Sequence, residues 1–277
     1  MYDAASRSDC PTLQRAVGEL RVDLRARDGR TVLEGLRQAG CLKARFPRSE
    51  HADWSNVVTL NTSGGIAGGD RLDNSFSVRT GARATIATQA AERFYRSFPG
   101  GATSQVRTQI VVADGAALEW LPQETILFDC CALDRRLCVD VAADGWFLGV
   151  ESLVFGRAAM GETVTTASLR DVIQVRRAGC LLWHDAIRLD GAVAAALQRP
   201  AIAGGAHTVA TLVHVAPDAE RALDTVRAAL PHCGVSTWDG MLIARVLAPD
   251  GASLRKAVVA ALQVLRGGRP LPRDWNC

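Results

Sequence analysis

Three carboxylates stand among large apolar residues in the stretch Leu118–Asp129 and are the first candidates for chemistry. They are Glu119, Glu124 and Asp129. On a strand, the side chain of Glu119 would point away from the apolar residues on either side of it, either to solvent or into an interior channel. Burying a carboxylate is costly unless it is paired, hydrated or bound to a cation. Two interpretations therefore stay open, a solvated strand face and a polar path for a cation.

A glycine-rich segment at 64–70 follows the strand-like residues Val57–Leu60 and closes with Asp70 and Arg71. Glycine reaches positive φ and lets another chain approach closely, so the segment predicts a tight turn. It matches neither the P-loop pattern nor Gly-x-Gly-x-x-Gly, and a phosphate-binding loop is not indicated. The turn is either purely structural or a close-approach surface, with Asp70 and Arg71 supplying charge or pairing with each other. Its glycines are Gly64, Gly65, Gly68 and Gly69.

A basic and aromatic block follows at Ala90–Ser97, where Arg93, Tyr95 and Arg96 lie close together. Stacking on nucleic acid would need more aromatic residues than this block contains. Solvated arginines on a loop or edge strand are one interpretation. A protein-binding patch is the other, because Arg and Tyr are enriched at interfaces.

The remaining residue types do not indicate catalysis. The five histidines lack metal-ligand spacing, the eight cysteines contain no Cys-x-x-Cys, and no nucleophile or metalloprotease motif is present. A binding module or scaffold is the favoured class. A hydrolase using Glu119 and Glu124 is the enzymatic alternative, and it requires the two carboxyls to face each other in a pocket.

Composition limits the partners and the compartment. The chain has 277 residues, 48% of them hydrophobic and 22% charged, with a net charge of +3. This charge is too small and the arginines too scattered to predict nucleic-acid binding. We expect no transmembrane helix, no signal peptide and no membrane partner, and hence a cytoplasmic protein with reduced thiols.

The elements that must position these residues are mostly strands. Strand–turn–strand units with a glycine near the tip recur roughly every thirty residues between 75 and 184. We interpret them as stacked antiparallel hairpins that form two or more sheets, or a solenoid-like prism, because a lone hairpin cannot bury its apolar face. Asp28-Gly29 predicts a further hairpin.

Helices are predicted only late in the chain. Pro217–Leu230 and Ala252–Leu265 have helical apolar periodicity, and Thr208–Val215 and Met241–Leu247 are predicted strands. Ala192–Leu197 is either a short helix or part of a loop. We expect a single domain over 1–277, with a disordered lead-in at 1–17, a β-rich body at 18–200 and an α/β part at 201–277.

Seven blocks of the chain, in this order and spacing, resemble the urease accessory protein UreD (UreH) family. The blocks are Ser63–Leu72, Thr88–Ser97, Leu118–Phe128, Gly149–Arg157, Leu182–Asp185, Arg188–Gly191 and Leu271–Trp275. The resemblance begins near Leu20, covers nearly the whole chain and rests on the combination of blocks rather than on any one of them. One departure is visible, since Asn61-Thr62-Ser63 stands where many members have His-Pro-Pro.

The resemblance implies a β-rich, non-catalytic maturation factor that binds apo-urease and the accessory protein UreF, which recruits the GTPase UreG. It also implies that nickel(II) passes in transit, without a tightly bound cofactor, along a water-filled passage. A pure structural adaptor without a metal path is the alternative. The predicted passage carboxylates are Asp70, Glu119, Glu124, Asp129 and Glu151. The predicted partner-binding residues are Arg71, Arg93, Tyr95 and Arg96.

Overall fold

A computed structural model describes residues 14–49, 51, 53–157 and 160–276. Most of the described chain is in two sheets. Sheet 1 has the strand order β14-β13-β11-β8-β5-β1-β2. Its strands are β1 (Val17–Arg27), β2 (Arg30–Gly40), β5 (Arg71–Val78), β8 (Ser104–Val112), β11 (Ala132–Val141), β13 (Thr166–Arg177) and β14 (Cys180–Ala192).

Sheet 2 has the order β16-β17-β15-β12-β9-β6-β4-β3, with two short strands, β7 and β10, attached beside β12. Its longer strands are β3 (Leu42–Arg45), β4 (Trp54–Asn61), β6 (Arg83–Thr88), β9 (Ala117–Leu121), β12 (Trp146–Phe155), β15 (Thr208–Val215), β16 (Gly234–Trp238) and β17 (Met241–Ala248). The short strands are β7 (Glu92–Phe94) and β10 (Thr125–Leu127).

The mainly β class, the two sheets and the C-terminal helices are confirmed. The prediction that each repeated unit is an antiparallel hairpin is wrong for three of the units. Each unit places its first strand in sheet 1 and its second in sheet 2. The strands β5, β8 and β11 therefore pair in parallel, as do β6, β9 and β12. The turn glycines Gly81 and Gly115, both at positive φ, carry the chain from one sheet to the other.

Antiparallel hairpins do occur at both edges of sheet 1. The strands β1 and β2 pair around Asp28-Gly29, and β13 and β14 pair around Ala178-Gly179. The hairpin predicted at Asp28-Gly29 is therefore confirmed. The alternation of apolar and polar residues could not distinguish a hairpin within one sheet from two strands in facing sheets, because both arrangements bury every second residue.

Two apolar layers hold the molecule together. The inner layer fills the space between the sheets and includes Phe76, Ile86, Ile110, Leu118 and Phe147. The outer layer lies on the other face of sheet 2, where helices cover the strands β12, β15 and β17. A strand in sheet 2 therefore presents alternate residues to two different interiors.

The helices are α1 (Val193–Leu197), α2 (Leu223–Ala229) and α3 (Gly251–Leu265). The predicted helix at Pro217–Leu230 is divided into a 3-10 turn at Ala219–Ala222 followed by α2. The predicted helix at Ala252–Leu265 is confirmed, and its N-cap is Asp250, whose carboxylate accepts the backbone N–H of Ser253 at 2.8 Å.

The structure also bears on two further predictions, the N-terminal lead-in and the expected lack of membrane-spanning helices. Most of the lead-in predicted at 1–17 lies outside the described residues, and β1 begins at Val17. Across the described parts of the chain, the helices are too short or too polar to cross a bilayer.

Candidate functional site

Glu119 lies on β9 and faces the outer layer of sheet 2, as its alternation with the inward-facing Leu118 and Trp120 predicts. Its carboxylate is fully buried and is held by two arginines that follow α3. Arg266 donates to both oxygens at 3.0 Å, and Arg269 donates to Oε1 at 2.5 Å. The Thr85 hydroxyl donates to Oε2 at 2.6 Å. One buried anion is thus satisfied by two cations and a hydroxyl.

These arginines belong to residues 266–275, here named the C-terminal strap, which crosses the outer face of sheet 2. Arg269 also stacks on Trp54, with 3.7 Å from its guanidinium carbon to the ring centre. Desolvation by burial lowers the pKa of Arg269 from its ordinary value, although Glu119 opposes this shift. The strap is therefore fixed to the sheet by charge and by aromatic contact together.

Glu124 fixes the far end of the same strap through Arg255 of α3. Arg255 donates to Glu124 at 3.0 Å, to the Gln123 side chain at 2.7 Å and to the Trp275 carbonyl at 2.5 Å. The Trp275 indole N–H donates to the Leu121 carbonyl at 3.0 Å. Glu119 and Glu124 are thus engaged by different arginines and both bind the C-terminal part of the chain to sheet 2.

Glu151 occupies the other interior, between the two sheets. It accepts the Trp120 indole N–H at 2.8 Å and pairs with Arg135 of β11 at 2.7 Å. Arg135 also binds both oxygens of Asp171 on β13, at 2.8 and 2.6 Å, and donates to the Thr125 hydroxyl at 2.8 Å. One buried arginine is shared by two buried carboxylates.

The pKa values in this cluster follow its charge balance. Burial raises the pKa of Glu151 above its ordinary value, while Arg135 acts in the opposite direction and Asp171 reinforces the rise. Burial alone would lower the pKa of Arg135, but the two carboxylates outweigh it and raise that pKa. Burial thus favours the protonated form of Glu151, and Arg135 favours its ionised form.

A cavity of about 220 Å³, here named the inner hollow, extends from this cluster to the glycine-rich turn. Its lining includes Arg135 and Glu151 at one end and Gly65 and Glu92 at the other. Burial raises the pKa of Glu92, which accepts the Asn61 amide at 3.2 Å. The lining of the inner hollow mixes apolar side chains, such as Leu60, Phe94 and Trp120, with the amides and hydroxyls of Asn61, Asn74, Thr88, Thr108, Gln123 and Thr125.

Glu92, Arg135 and Asp171 belong to this region but were not predicted as candidate residues. Glu92 stood inside the basic and aromatic block, where only Arg93, Tyr95 and Arg96 were selected. The 36 residues that separate Arg135 from Asp171 hide an ion pair between neighbouring strands. Glu92 is the first residue of the short strand β7, and no local pattern indicates its burial, which depends on packing.

Asp129 lies at a turn and orders its backbone. It accepts the N–H and the hydroxyl of Thr165, both at 2.8 Å, and the N–H of Thr166 at 3.0 Å. The bond from Thr166 is the main reason that the pKa of Asp129 is lowered to about 2. Its contact with the exposed guanidinium of Arg96 is longer, at 3.8 Å.

Asp70 likewise organises backbone, in the glycine-rich turn. Its two carboxylate oxygens accept the N–H groups of Ala16 and Ala67, each at 2.8 Å. The turn thereby connects the start of β1 to the start of β5.

The turn glycines permit close packing against the basic and aromatic block. A Cβ on Gly65 would lie 2.3 Å from the Tyr95 ring, and one on Gly68 would lie 2.5 Å from the Ser97 hydroxyl oxygen. The Tyr95 hydroxyl donates to the Gly64 carbonyl at 2.9 Å. Gly64 and Gly69 adopt positive φ.

The predicted residues therefore fall at four separate places rather than in one site. Glu151 lines the inner hollow, Glu119 and Glu124 hold the strap, Asp129 orders one turn and Asp70 another. Arg71 and Arg93 are exposed on the surface near the glycine-rich turn. The passage and partner-binding roles of all these residues stay predictions. Within the described residues, no three His, Cys, Asp or Glu side chains form a group able to hold a metal ion.

The fold defines a mainly β protein with two facing sheets, a helical outer layer and buried ion-pair clusters in both interiors. The family model for the UreD urease accessory protein matches residues 16–276. The chain is 48% identical to the urease accessory protein UreD of Dinoroseobacter shibae, over 96% of this chain and 94% of that one. It is 44% identical to UreD of Azorhizobium caulinodans, over 96% and 98% of the two chains. The chain therefore belongs to the UreD urease accessory protein family.

Proposed function

We propose that this protein is a cytoplasmic urease maturation factor. It acts as a scaffold that binds apo-urease and the accessory proteins UreF and UreG and assists nickel delivery to the urease active site. Family membership over residues 16–276 is the single observation that carries the maturation role. The distribution of the ionisable residues supports a scaffold, because most of the candidate carboxylates are already engaged in holding the fold.

Nickel(II) is proposed as a cargo that enters the inner hollow. The two carboxylates at its ends, Glu92 and Glu151, both have pKa values raised by burial. A divalent cation arriving beside such a group favours its ionised form, so cation entry is coupled to proton release. The amide and hydroxyl oxygens in the lining of the hollow suit a hydrated cation that must be bound weakly and then released.

Arg135 sets the inner limit of this proposed path. Its guanidinium repels a cation, but Asp171 binds it through two hydrogen bonds and keeps its charge compensated. Glu151 is thus left to respond to the cargo, while Asp171 holds the arginine in place. Glu92 and Glu151 thus serve the passage of the cation, and Asp171 is the fixed counterion of Arg135.

The test uses co-expression with the urease subunits, UreF and UreG. Glu92→Gln and Glu151→Gln should leave the complexes intact and reduce nickel content and urease activation by about 10-fold, the loss typical when a group supporting a metal site is removed. Glu34→Gln is the matched control, because Glu34 pairs with Arg79 on the surface of the protein.

The outcomes separate the alternatives. Failure of the wild-type protein to co-purify with urease or UreF would overturn the scaffold role. Normal activation by Glu92→Gln and Glu151→Gln, with intact complexes, would instead favour the pure structural adaptor and remove the metal path.

A further inference from the structure

A groove of about 570 Å³ lies on the outer face of sheet 2, beside the helical layer. This outer groove is bounded on one side by residues 45–49, which follow β3, and on the other by the C-terminal strap. Alternate residues of β4 and β6 form its floor, including Trp54, Val58, Leu60 and Ala87. Phe46 stands at the rim and is 38% exposed.

The groove continues a surface that the protein itself covers elsewhere. Over β12, β15 and β17, the outward residues Val150, Leu212 and Ala244 are buried under α2 and α3. Over β4 and β6, the residues on the same face form the groove floor instead. Helices thus cover one half of the outer face of sheet 2. The strap borders the other half but leaves its middle uncovered.

The rim of the groove is basic. Arg45 and Arg48 are exposed on one side of it, Arg266 and Arg269 lie on the other, and, among the described residues, the one carboxylate in the lining is Asp274. Glu119 lies beneath and pairs with both Arg266 and Arg269. One buried anion cannot neutralise two cations, so the surplus positive charge remains at the groove even after this pairing is counted.

We propose that the outer groove docks an amphipathic helix of a maturation partner, with its apolar face on the sheet and acidic residues facing the arginine rim. A helix fits because it would extend the layer that α2 and α3 begin on the same sheet face. Acidic flanks fit because they complement the charge of the rim, which favours the correct partner and speeds encounter. This inference rests on the proposed function, since it assigns a surface to the binding that a scaffold requires.

The experiment uses the full chain co-expressed with UreF and, separately, with the urease subunits. Phe46→Glu removes the exposed aromatic anchor, and the double variant Arg45→Glu/Arg48→Glu reverses the charge of one rim. Each should weaken binding of one partner by at least about 10-fold, because the first variant removes an aromatic anchor and the second replaces attraction of an acidic partner by repulsion. Leu36→Glu and Arg25→Glu/Arg30→Glu are matched controls on exposed parts of β1 and β2, and they should bind as wild type.

A photo-crosslinking amino acid at position 46 identifies the occupant. A crosslink to a partner segment that has apolar residues at helical spacing and acidic flanks supports the proposal. A crosslink to a second copy of this chain, or to its own residues 1–13, overturns it. Equal partner binding by wild type and both groove variants also overturns it while leaving the proposed function intact, whereas a wild type that binds neither partner overturns both.

Discussion

Glu119 and Glu151 are both buried glutamates on neighbouring strands of sheet 2, yet their surroundings have opposite charge balance. Glu119 faces the outer layer, where one carboxylate meets two arginines. Glu151 faces the inner layer, where one arginine meets two carboxylates. The same residue type on the same sheet thus belongs to a cationic cluster on one face and to an anionic cluster on the other.

The difference separates a structural carboxylate from a responsive one. Four hydrogen bonds from Arg266, Arg269 and Thr85 keep Glu119 engaged and fasten the C-terminal strap. Glu151 borders the inner hollow, and burial, which works against its negative charge, raises its pKa. A shortage of positive charge beside a cavity, rather than burial by itself, is what suits a group to exchange protons or cations.

The largest effect is expected from removing the cation of the inner cluster. Arg135→Met leaves Glu151 and Asp171 buried without their counterion, and such a loss costs about 3–5 kcal/mol of unfolding free energy. Urea denaturation measures it. The triple variant Arg135→Met/Glu151→Gln/Asp171→Asn should recover most of the loss, and a single variant as stable as wild type would show that the cluster contributes little.

A smaller effect is expected at the outer cluster. Glu119→Gln removes the anion that holds the strap, but the two arginines can reach water when the strap detaches. We expect a loss of about 2 kcal/mol, below the usual range for a buried pair. Hydrogen exchange should show increased opening of residues 266–275. Glu124→Gln removes a more exposed ion pair and should increase this opening less. Unchanged protection of the strap would contradict the fastening role.

The smallest effect is a pH dependence of stability that arises from Glu151 in the inner cluster. A raised pKa in the fold means that the folded protein binds the Glu151 proton more tightly than the unfolded chain does. Stability is therefore lost as pH rises from the unfolded value, about 4.3, through the folded pKa. The loss is about 1.4 kcal/mol for each tenfold difference in proton affinity between the folded and unfolded states.

Glu151→Gln removes this dependence, so the stability of the variant relative to wild type should increase with pH above about 4.3. Thermal unfolding of both proteins across this range is the measurement. Parallel curves for wild type and Glu151→Gln would mean that the pKa of Glu151 is the same in both states.

Local periodicity determined much of the fold. Thr208–Val215 was predicted with the bounds that β15 has, and the second helix was misplaced by one residue at its start. Alternation also placed Glu119 on the opposite face from Leu118 and Trp120. These features depend on residues that are neighbours in the chain. The side chains of such residues repeat every 2.0 residues along a strand or every 3.6 residues along a helix.

Pairing between strands was decided only by the tertiary structure. Strands β5, β8 and β11 alternate in the same way whether they pair in parallel or fold back as hairpins, so their pattern could not exclude the hairpin arrangement. The choice depends on whether each glycine turn returns the chain to the same sheet or carries it to the other.

The character of each carboxylate was likewise set by tertiary contacts. By itself, the sequence determined the mainly β class, the C-terminal helices and the faces on which Glu119 and its neighbours lie. It did not determine which of these groups would meet a surplus of positive charge. Arg266 is 147 residues from Glu119, and Asp171 is 36 residues from Arg135. Electrostatic environment depends on distance in space, and local patterns carry no information about it across such separations.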